Sequence, residues 1–125
     1  EMDYIILQAP YSKNTHHLIG KNEFDMMKNS VYFINTARGR EIDQEALIDS
    51  LRNKKIAGAG LDVYENEPNI PQELKSFDNV VLTPHLGTDT YETDLRMVAE
   101  AADNVIKVLT GHTPEHIVNR KELKL

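Results

Sequence analysis

The sequence predicts an α/β fold: an open, doubly wound parallel sheet followed by a long C-terminal helix. Three observations favour this class. The apolar residues fall into four short runs that do not alternate with polar residues, helical patterns lie between these runs, and one long amphipathic segment lies near the end of the chain. Strands that alternate with helices are typical of parallel sheets with right-handed crossover connections.

The four apolar runs, residues 4–7, 31–34, 57–61 and 80–82, are the predicted strands. A sheet with one wet face would show alternating apolar and polar residues. Continuous runs rich in valine and isoleucine are instead typical of strands that are covered on both faces. We therefore expect both faces of the sheet to be buried.

Two shorter helices are predicted between the strands. Asp43 is placed to cap a helix over residues 44–53, which carries an apolar stripe, and Lys54 and Lys55 follow its end. A carboxylate at the start and positive charge at the end both suit the helix dipole. A helical turn over residues 23–28 is expected to connect the first two strands.

The C-terminal helix is predicted over residues 91–109, because apolar side chains recur there three and four positions apart. Asp89 and Glu92 have the spacing of a capping box at its start, and Gly111 with Pro114 supplies a stop. This segment is the longest predicted element of the chain.

Composition narrows the classes of partner. The 125 residues include 14 Lys and Arg against 20 Asp and Glu, which gives a formal charge of −6, and there is no cysteine. An acidic chain lacks the basic surface that nucleic acids and anionic membranes select, and a chain without cysteine has no disulfide or thiolate zinc site. We expect a small-molecule or protein partner, no nucleic acid, no membrane, and a cytoplasmic location.

Chemically active residues follow the predicted strands, and ligands bind at that edge of an open parallel sheet. Ala9 and Pro10 follow the first strand, Thr36, Ala37 and Arg38 the second, Asp62 and Glu67 the third, and His85 and Gly87 the fourth. An arginine, two carboxylates and a histidine at one edge combine an anion clamp with acid/base groups.

Each of these residues also has a plainer interpretation. Arg38 could be a surface cation in a turn, Asp62 a loop cap, and His85 a packed loop histidine. The other histidines, His16, His17, His112 and His116, are expected to be ordinary loop residues. No metal site is predicted, because adjacent histidines point in different directions and no carboxylate spacing completes a coordination shell.

Three segments together resemble a known family. They are residues 34–39 (Ile-Asn-Thr-Ala-Arg-Gly), 61–68 (Leu-Asp-Val-Tyr-Glu-Asn-Glu-Pro) and 83–87 (Thr-Pro-His-Leu-Gly). In order and spacing they resemble the C-terminal signatures of the NAD-dependent D-2-hydroxyacid dehydrogenases, and residues 72–74 and 79–93 look most like those of the glyoxylate, hydroxypyruvate or gluconate-type reductases. The resemblance implies a Rossmann-like fold and reduction of small 2-keto acids with NAD as cofactor, with NADP left open.

The resemblance also implies roles at the matching positions. Arg38 binds the substrate carboxylate and carbonyl oxygen, His85 is the general acid/base, and Glu67 hydrogen-bonds the histidine. The implied cofactor contacts are Ala9, Pro10, Thr36, Ala37, Arg38, Asp62, His85 and Gly87. These roles are chemically reasonable, because a guanidinium holds oxygens in a bidentate fork and a carboxylate favours a protonated imidazole that can donate to the developing alkoxide.

Part of the family pattern is missing from the sequence. The sequence has no Gly-x-Gly-x-x-Gly phosphate loop and no acidic ribose-binding residue after such a loop. The chain also enters its first apolar run almost at once, without an initiating methionine at position 1. Residues 1–125 are therefore expected to form the C-terminal portion of a dinucleotide-binding domain, a partial Rossmann-like sheet with the final helix, without the substrate domain. Such a piece is expected to be inactive alone.

The chain is expected to self-associate. Exposed strand edges and an unpaired apolar helix stripe favour contacts between copies, so a homodimer or larger assembly is expected.

The resemblance also leaves an alternative function. The family includes NAD-sensing corepressors with a similar Arg/Glu/His set, so the alternative is a non-catalytic binding module of the same fold.

Overall fold

Four parallel strands form one sheet in a computed structural model that describes residues 2–123. The strands are β1 (Tyr4–Leu7), β2 (Tyr32–Asn35), β3 (Gly58–Leu61) and β4 (Val80–Leu82), and they lie side by side in the order β1-β2-β3-β4. Their last residues, Leu7, Asn35, Leu61 and Leu82, lie in register across the sheet. The predicted α/β class is confirmed, and the predicted strand bounds differ from the observed ones by at most one residue at either end.

The helices lie between or after the strands. They are α1 (Lys21–Met26), α2 (Gln44–Arg52), α3 (Tyr91–Leu109) and α4 (Arg120–Leu123), with short 3₁₀ turns at Gly39–Glu41 and Leu74–Ser76. Asp43 caps α2 as expected, because its side chain accepts a hydrogen bond from the Ala46 amide at 3.1 Å. In the described part of the chain no helix is long and apolar enough to cross a membrane.

The hydrophobic core lies on one face of the sheet. Phe24 of α1 and Leu47 of α2 are fully buried, and Phe33 of β2 packs edge-on against Phe24 with ring centroids 5.3 Å apart. The apolar stripe of α2 packs against the strands here. Burial of this stripe holds α2, and the turn that precedes it, in place against the sheet.

The opposite face of the sheet differs from the expectation. Tyr4, Ile6, Tyr32 and Val81 all point to this face and are exposed, and the rings of Tyr4 and Tyr32 stack with centroids 5.8 Å apart. The prediction that both faces are buried was therefore wrong for this chain. The reason is topological: the strand order follows the chain order, so right-handed crossovers put every connection on the same face.

The chain divides into two compact units after Gly87. The second unit contains α3. The bounds of α3 agree with the prediction, but its N-cap residue does not. Thr90 rather than Asp89 is the N-cap, and the Thr90 hydroxyl accepts a hydrogen bond from the Thr93 amide at 3.3 Å. The capping position is the extended residue directly before the first helical one, which the helix start at Tyr91 assigns to Thr90. No residue of α3 is buried.

Candidate active site

An open cleft of about 560 Å³ lies at the carboxyl edge of the sheet in the first unit. It brings together three predicted site residues from three different loops, those that follow β2, β3 and β4. Its lining comprises Arg38, Glu67 and His85 together with Tyr11, Arg40, Tyr64, Glu65, Asn66 and Asn69. The parallel strands end in register, so Arg38 and His85 share one cleft although they are 47 positions apart in the sequence.

His85 and Glu67 form a hydrogen-bonded pair in this cleft. Nδ1 of His85 lies 2.8 Å from Oε2 of Glu67, and Oε1 of Glu67 accepts the backbone N–H of Tyr64 at 2.9 Å. Both side chains keep solvent access, with 45% of the histidine and 36% of the glutamate exposed. His85 also has a left-handed backbone with φ 58°, a strained conformation for a residue with a Cβ and one that occurs at functional sites.

The pKa of Glu67 lies below its usual value. Partial burial acts to raise it, but the hydrogen bonds from His85 and from the Tyr64 amide, and the charges of His85 and Arg38, lower it by more. Glu67 is therefore ionised at neutral pH, and its carboxylate is available as a hydrogen-bond acceptor for the imidazole beside it.

Asp62 joins the ends of β3 and β4 and does not line the cleft. Its buried carboxylate accepts hydrogen bonds at Oδ1 from the Thr83 hydroxyl at 2.6 Å and from the Leu86 amide at 2.8 Å. Burial acts to raise the pKa of Asp62, but these hydrogen bonds, the charge of His85 and the Gly87 amide bring it below its usual value. Oδ2 faces Gly87, where an added Cβ would lie 3.7 Å away.

The backbone of Arg38 is held from both sides. Its N–H donates to Oε2 of Glu41 at 3.1 Å, and its carbonyl accepts from the side-chain amide of Asn35 at 3.0 Å. The exposed guanidinium donates through Nη1 to the Ala37 carbonyl at 2.6 Å, and its other N–H groups remain for a ligand in the cleft. Gly39 follows directly, and an added Cβ there would lie 1.9 Å from the Tyr64 carbonyl carbon, so only glycine fits.

The remaining predicted cofactor residues lie along the same edge but outside the cleft. Ala9 is partly buried, Pro10 is exposed, and Thr36 accepts a hydrogen bond from the side chain of Gln8, which ties the ends of β1 and β2 together. Ala37 is buried, and its amide donates to Oδ1 of Asn35 at 3.0 Å. Together with Asp62 and Gly87 they form a strip beside the cleft.

The other histidines in the first unit, His16 and His17, do not line the cleft. His16 and His17 stack with ring centroids 4.0 Å apart, and Nε2 of His17 lies 3.0 Å from a carboxylate oxygen of Glu65. Among residues 2–123, no group of three or more potential ligands is arranged to hold a metal ion.

Several residues at the site were not singled out from the sequence. Glu41 stands three positions after Arg38, which is the spacing of a capping box and was available as a signal. Arg40 lines the cleft as a second cation, which its position two residues after Arg38 indicated only weakly. Nothing in the sequence revealed Tyr64, whose hydroxyl donates to backbone carbonyls of Leu61 at 3.1 Å and Thr83 at 2.8 Å.

Comparison with known proteins assigns the family. Residues 1–87 match the model of the NAD binding domain of D-isomer specific 2-hydroxyacid dehydrogenases. The chain belongs to this family. The matched residues coincide with the first compact unit, which carries the whole cleft.

Two individual relatives support the assignment of this dehydrogenase domain to the family. It is 47% identical over 120 residues to glyoxylate/hydroxypyruvate reductase B of Enterobacter sp., covering 95% of the chain and 37% of that protein. It is 43% identical over 125 residues to glyoxylate reductase of Thermococcus onnurineus, covering 100% of the chain and 37% of that protein. The chain thus spans little more than a third of the length of the relatives that it matches.

Solved structures show the same fold. An NADPH-dependent glyoxylate/hydroxypyruvate reductase from Sinorhizobium meliloti, in complex with NADP and malonate, aligns with a TM-score of 0.80 and 37% identity over 84% of this chain and 33% of that one. D-lactate dehydrogenase with NAD+ from Lactobacillus jensenii aligns with a TM-score of 0.80 and 33% identity over 94% of this chain and 40% of that one. The partial Rossmann-like sheet is confirmed.

The residues present fit one end of a dinucleotide. The strip beside the cleft offers the hydroxyl of Thr36, the ionised Asp62 and a glycine whose missing side chain leaves its backbone accessible. These groups suit a carboxamide and a ribose, whereas the pyrophosphate needs a glycine-rich loop that this sequence lacks. The residues present therefore fit the nicotinamide end of a dinucleotide better than its pyrophosphate.

Proposed function

We propose that the protein containing this chain reduces small 2-keto acids to D-2-hydroxy acids with NAD(P)H, and that the chain contributes the catalytic half of the active site. The observation that carries the proposal is the presence of Arg38 and the His85–Glu67 pair in one cleft. A cation and an acid/base pair are what a 2-keto acid requires, since it carries a carboxylate next to the carbonyl that is reduced.

Arg38 binds the substrate in this proposal. Its exposed guanidinium has N–H groups free of protein partners within the described residues, and the planar fork matches two oxygens of a 2-keto acid. By holding the carboxylate and the carbonyl oxygen, Arg38 fixes the carbonyl carbon in one orientation and stabilises the negative charge that develops on oxygen.

His85 is the proposed acid in reduction and the base in oxidation. A nicotinamide cofactor, when bound, would supply the hydride for reduction and accept it in oxidation. His85 donates its Nε2 proton to the carbonyl oxygen, which becomes the hydroxyl of the product, and the neutral imidazole then takes a proton back from solvent. Glu67 keeps the ring oriented through Nδ1.

The cofactor contacts are the residues of the strip together with the cleft residues Arg38 and His85. Asp62 and Gly87 would face the carboxamide, Thr36 and Ala37 the nicotinamide ribose, and Ala9 with Pro10 the adenosine side. Both NAD and NADP occur in complexes of the structural relatives. The proposed cofactor is therefore NAD or NADP.

The proposed domain assignment is that residues 1–125 are the C-terminal portion of the dinucleotide-binding domain and its final helix. The proposed substrate is glyoxylate or hydroxypyruvate, because several relatives are glyoxylate or glyoxylate/hydroxypyruvate reductases by name. A cytoplasmic location suits a chain without cysteine.

No observation favours the alternative of an NAD-sensing corepressor module, and we do not propose it.

Self-association is also proposed for the isolated chain. The sheet exposes Tyr4, Ile6, Tyr32 and Val81 on one face, and α3 exposes a further set of apolar side chains that includes Val98 and Ile106. Exposed apolar surface of this kind favours assembly. Light scattering is expected to show a dimer or larger species, and a monodisperse monomer would contradict this.

Steady-state kinetics test the proposed function. A polypeptide of the relatives' full length that contains these residues is expected to oxidise NADH or NADPH when glyoxylate or hydroxypyruvate is supplied. The 125-residue chain alone is expected to show little or no turnover. Failure of the longer polypeptide to reduce any small 2-keto acid would overturn the proposal.

A further inference from the structure

Glu41 is a buried carboxylate that the proposed chemistry does not use. It has no solvent-exposed surface, and one of its oxygens, Oε1, has no hydrogen-bond partner among the described residues. Burying a carboxylate with an unpartnered oxygen costs stability, and an apolar residue of similar size would avoid that cost. A residue that is unfavourable for folding invites a functional explanation.

The other oxygen of Glu41 has a specific partner. Oε2 accepts the backbone N–H of Arg38 at 3.1 Å, and the Glu41 amide donates back to the Arg38 carbonyl at 3.3 Å. This reciprocal pattern is a capping box around the 3₁₀ turn Gly39–Glu41. The side-chain amide of Asn35 also donates to the Arg38 carbonyl, so both polar groups of Arg38's backbone are held by buried side chains.

The same turn is locked against the loop that carries Glu67. Gly39 lies directly against the Tyr64 backbone, with no room for a side chain, and the Tyr64 amide donates to Glu67. Glu67 in turn binds His85. A shift of the turn would therefore disturb both the guanidinium and the position of the acid/base pair. Tight packing of the turn is needed to keep these groups in place.

We propose that Glu41 is a positioning residue for substrate binding: its buried carboxylate fixes the Arg38 backbone so that the guanidinium presents its fork to the 2-keto acid. The proposal rests on the proposed function. Glu41 touches neither substrate nor cofactor in this account, and its cost in stability is offset by a guanidinium that is already oriented when the substrate arrives.

Two substitutions separate this role from a merely structural one. Glu41→Met keeps the length of the side chain and removes both oxygens, whereas Glu41→Gln keeps an oxygen that can accept the Arg38 N–H. Ser50→Ala is the matched control, because Ser50 is a buried polar residue of α2 whose hydroxyl bonds only the Ala46 carbonyl. All three are made in the full-length polypeptide that contains the chain.

In Glu41→Met, kcat/KM for glyoxylate or hydroxypyruvate is expected to fall about tenfold, because a displaced guanidinium both binds the substrate and stabilises the developing charge less well. The KM for NADH or NADPH changes less than about twofold, and the melting temperature stays the same or rises. Glu41→Gln restores kcat/KM to within about twofold of the unchanged protein, as expected if one acceptor suffices. An unchanged kcat/KM in Glu41→Met, a kcat/KM that falls only with a fall in melting temperature, or no rescue by Gln overturns the proposal.

Hydrogen exchange in the 125-residue chain keeps this test independent of activity. The Arg38 amide is expected to be protected in the unchanged chain and in Glu41→Gln, and to exchange about tenfold faster in Glu41→Met. Equal exchange in all three chains overturns the role of Glu41. A full-length polypeptide that reduces no 2-keto acid overturns the proposed function instead, and the exchange rates still decide whether Glu41 holds Arg38.

Discussion

Nδ1 of His85 lies 2.8 Å from Oε2 of Glu67, although the two residues are 18 positions apart and follow different strands. The contact is held at both ends, because Glu67 is anchored by the Tyr64 amide and His85 has a constrained, left-handed backbone. Within the described residues the second ring nitrogen, Nε2, has no hydrogen-bond partner, which is what the proposed proton transfer to a substrate requires.

Glu67→Gln is expected to lower kcat for 2-keto acid reduction by about tenfold to a hundredfold, because a neutral amide replaces the charge-assisted hydrogen bond that orients the imidazole through Nδ1. Steady-state kinetics of the full-length polypeptide measure the change in kcat. Glu73→Gln, which alters a surface ion pair with Arg52, is the control. An unchanged kcat in Glu67→Gln contradicts the pairing.

Arg38→Lys is expected to lower kcat/KM for glyoxylate by about a hundredfold or more, since an ammonium keeps the charge but cannot form the bidentate fork. The control is Arg52→Lys, which lies in the surface ion pairs with Asp49 and Glu73 and is expected to leave kcat/KM within about twofold. If Arg38→Lys behaves like Arg52→Lys, Arg38 does not bind the substrate.

Gly39→Ala is expected to destabilise the fold by about 2 kcal/mol or more, because the new Cβ would overlap the Tyr64 backbone and the turn would have to move. Gly60→Ala is the matched change, since its Cβ would meet the Ile34 side chain at 3.7 Å in ordinary contact, and a change within about 1 kcal/mol is expected there. Urea unfolding measures both. Equal stability of the two variants would show that the turn is free to shift.

Asp62 gives a pH dependence of stability with a defined sign. Its pKa in the folded chain is below its usual value, so the unfolded chain binds the proton more readily and the free energy of unfolding falls as the pH decreases through the acid range. The contribution is fully present above about pH 4 and is lost as the pH falls through the folded-state pKa.

Asp62→Asn removes this titration. Urea unfolding between about pH 6 and pH 3 is expected to show a shallower loss of stability in Asp62→Asn than in the unchanged chain, whereas Asp78→Asn, at an exposed position, is expected to leave the slope unaltered. Parallel curves for Asp62→Asn and the unchanged chain would contradict the hydrogen bonds assigned to this carboxylate.

Local patterns predicted the elements well, because strands and helices of this kind are determined by short-range periodicity. The bounds of β1, β4 and α3 agree with the apolar runs, and Asp43 caps α2 as expected. The cap of α3 was missed by one residue, since Asp89 and Thr90 are both good capping residues and only the helix start separates them.

What the sequence did not show depends on neighbours that are distant in the chain. The exposed sheet face follows from the strand order, which no single run of residues encodes. Gly39 matters because the Tyr64 backbone passes beside it, and Glu41 because its surroundings exclude water. Arg38, Glu67 and His85 were identified as site residues from motifs, and their convergence on one cleft is the structural finding.

The most direct test of the central claim is the rate of glyoxylate or hydroxypyruvate reduction by the full-length polypeptide with and without His85→Gln. If His85 is the acid, the substitution lowers kcat by about a hundredfold or more. It should lower the affinity for NADH or NADPH, measured by fluorescence titration, by no more than about threefold, because His85 is one of eight proposed cofactor contacts and the other seven are unchanged. A variant that keeps near-normal kcat would contradict the assignment of the active site to this cleft.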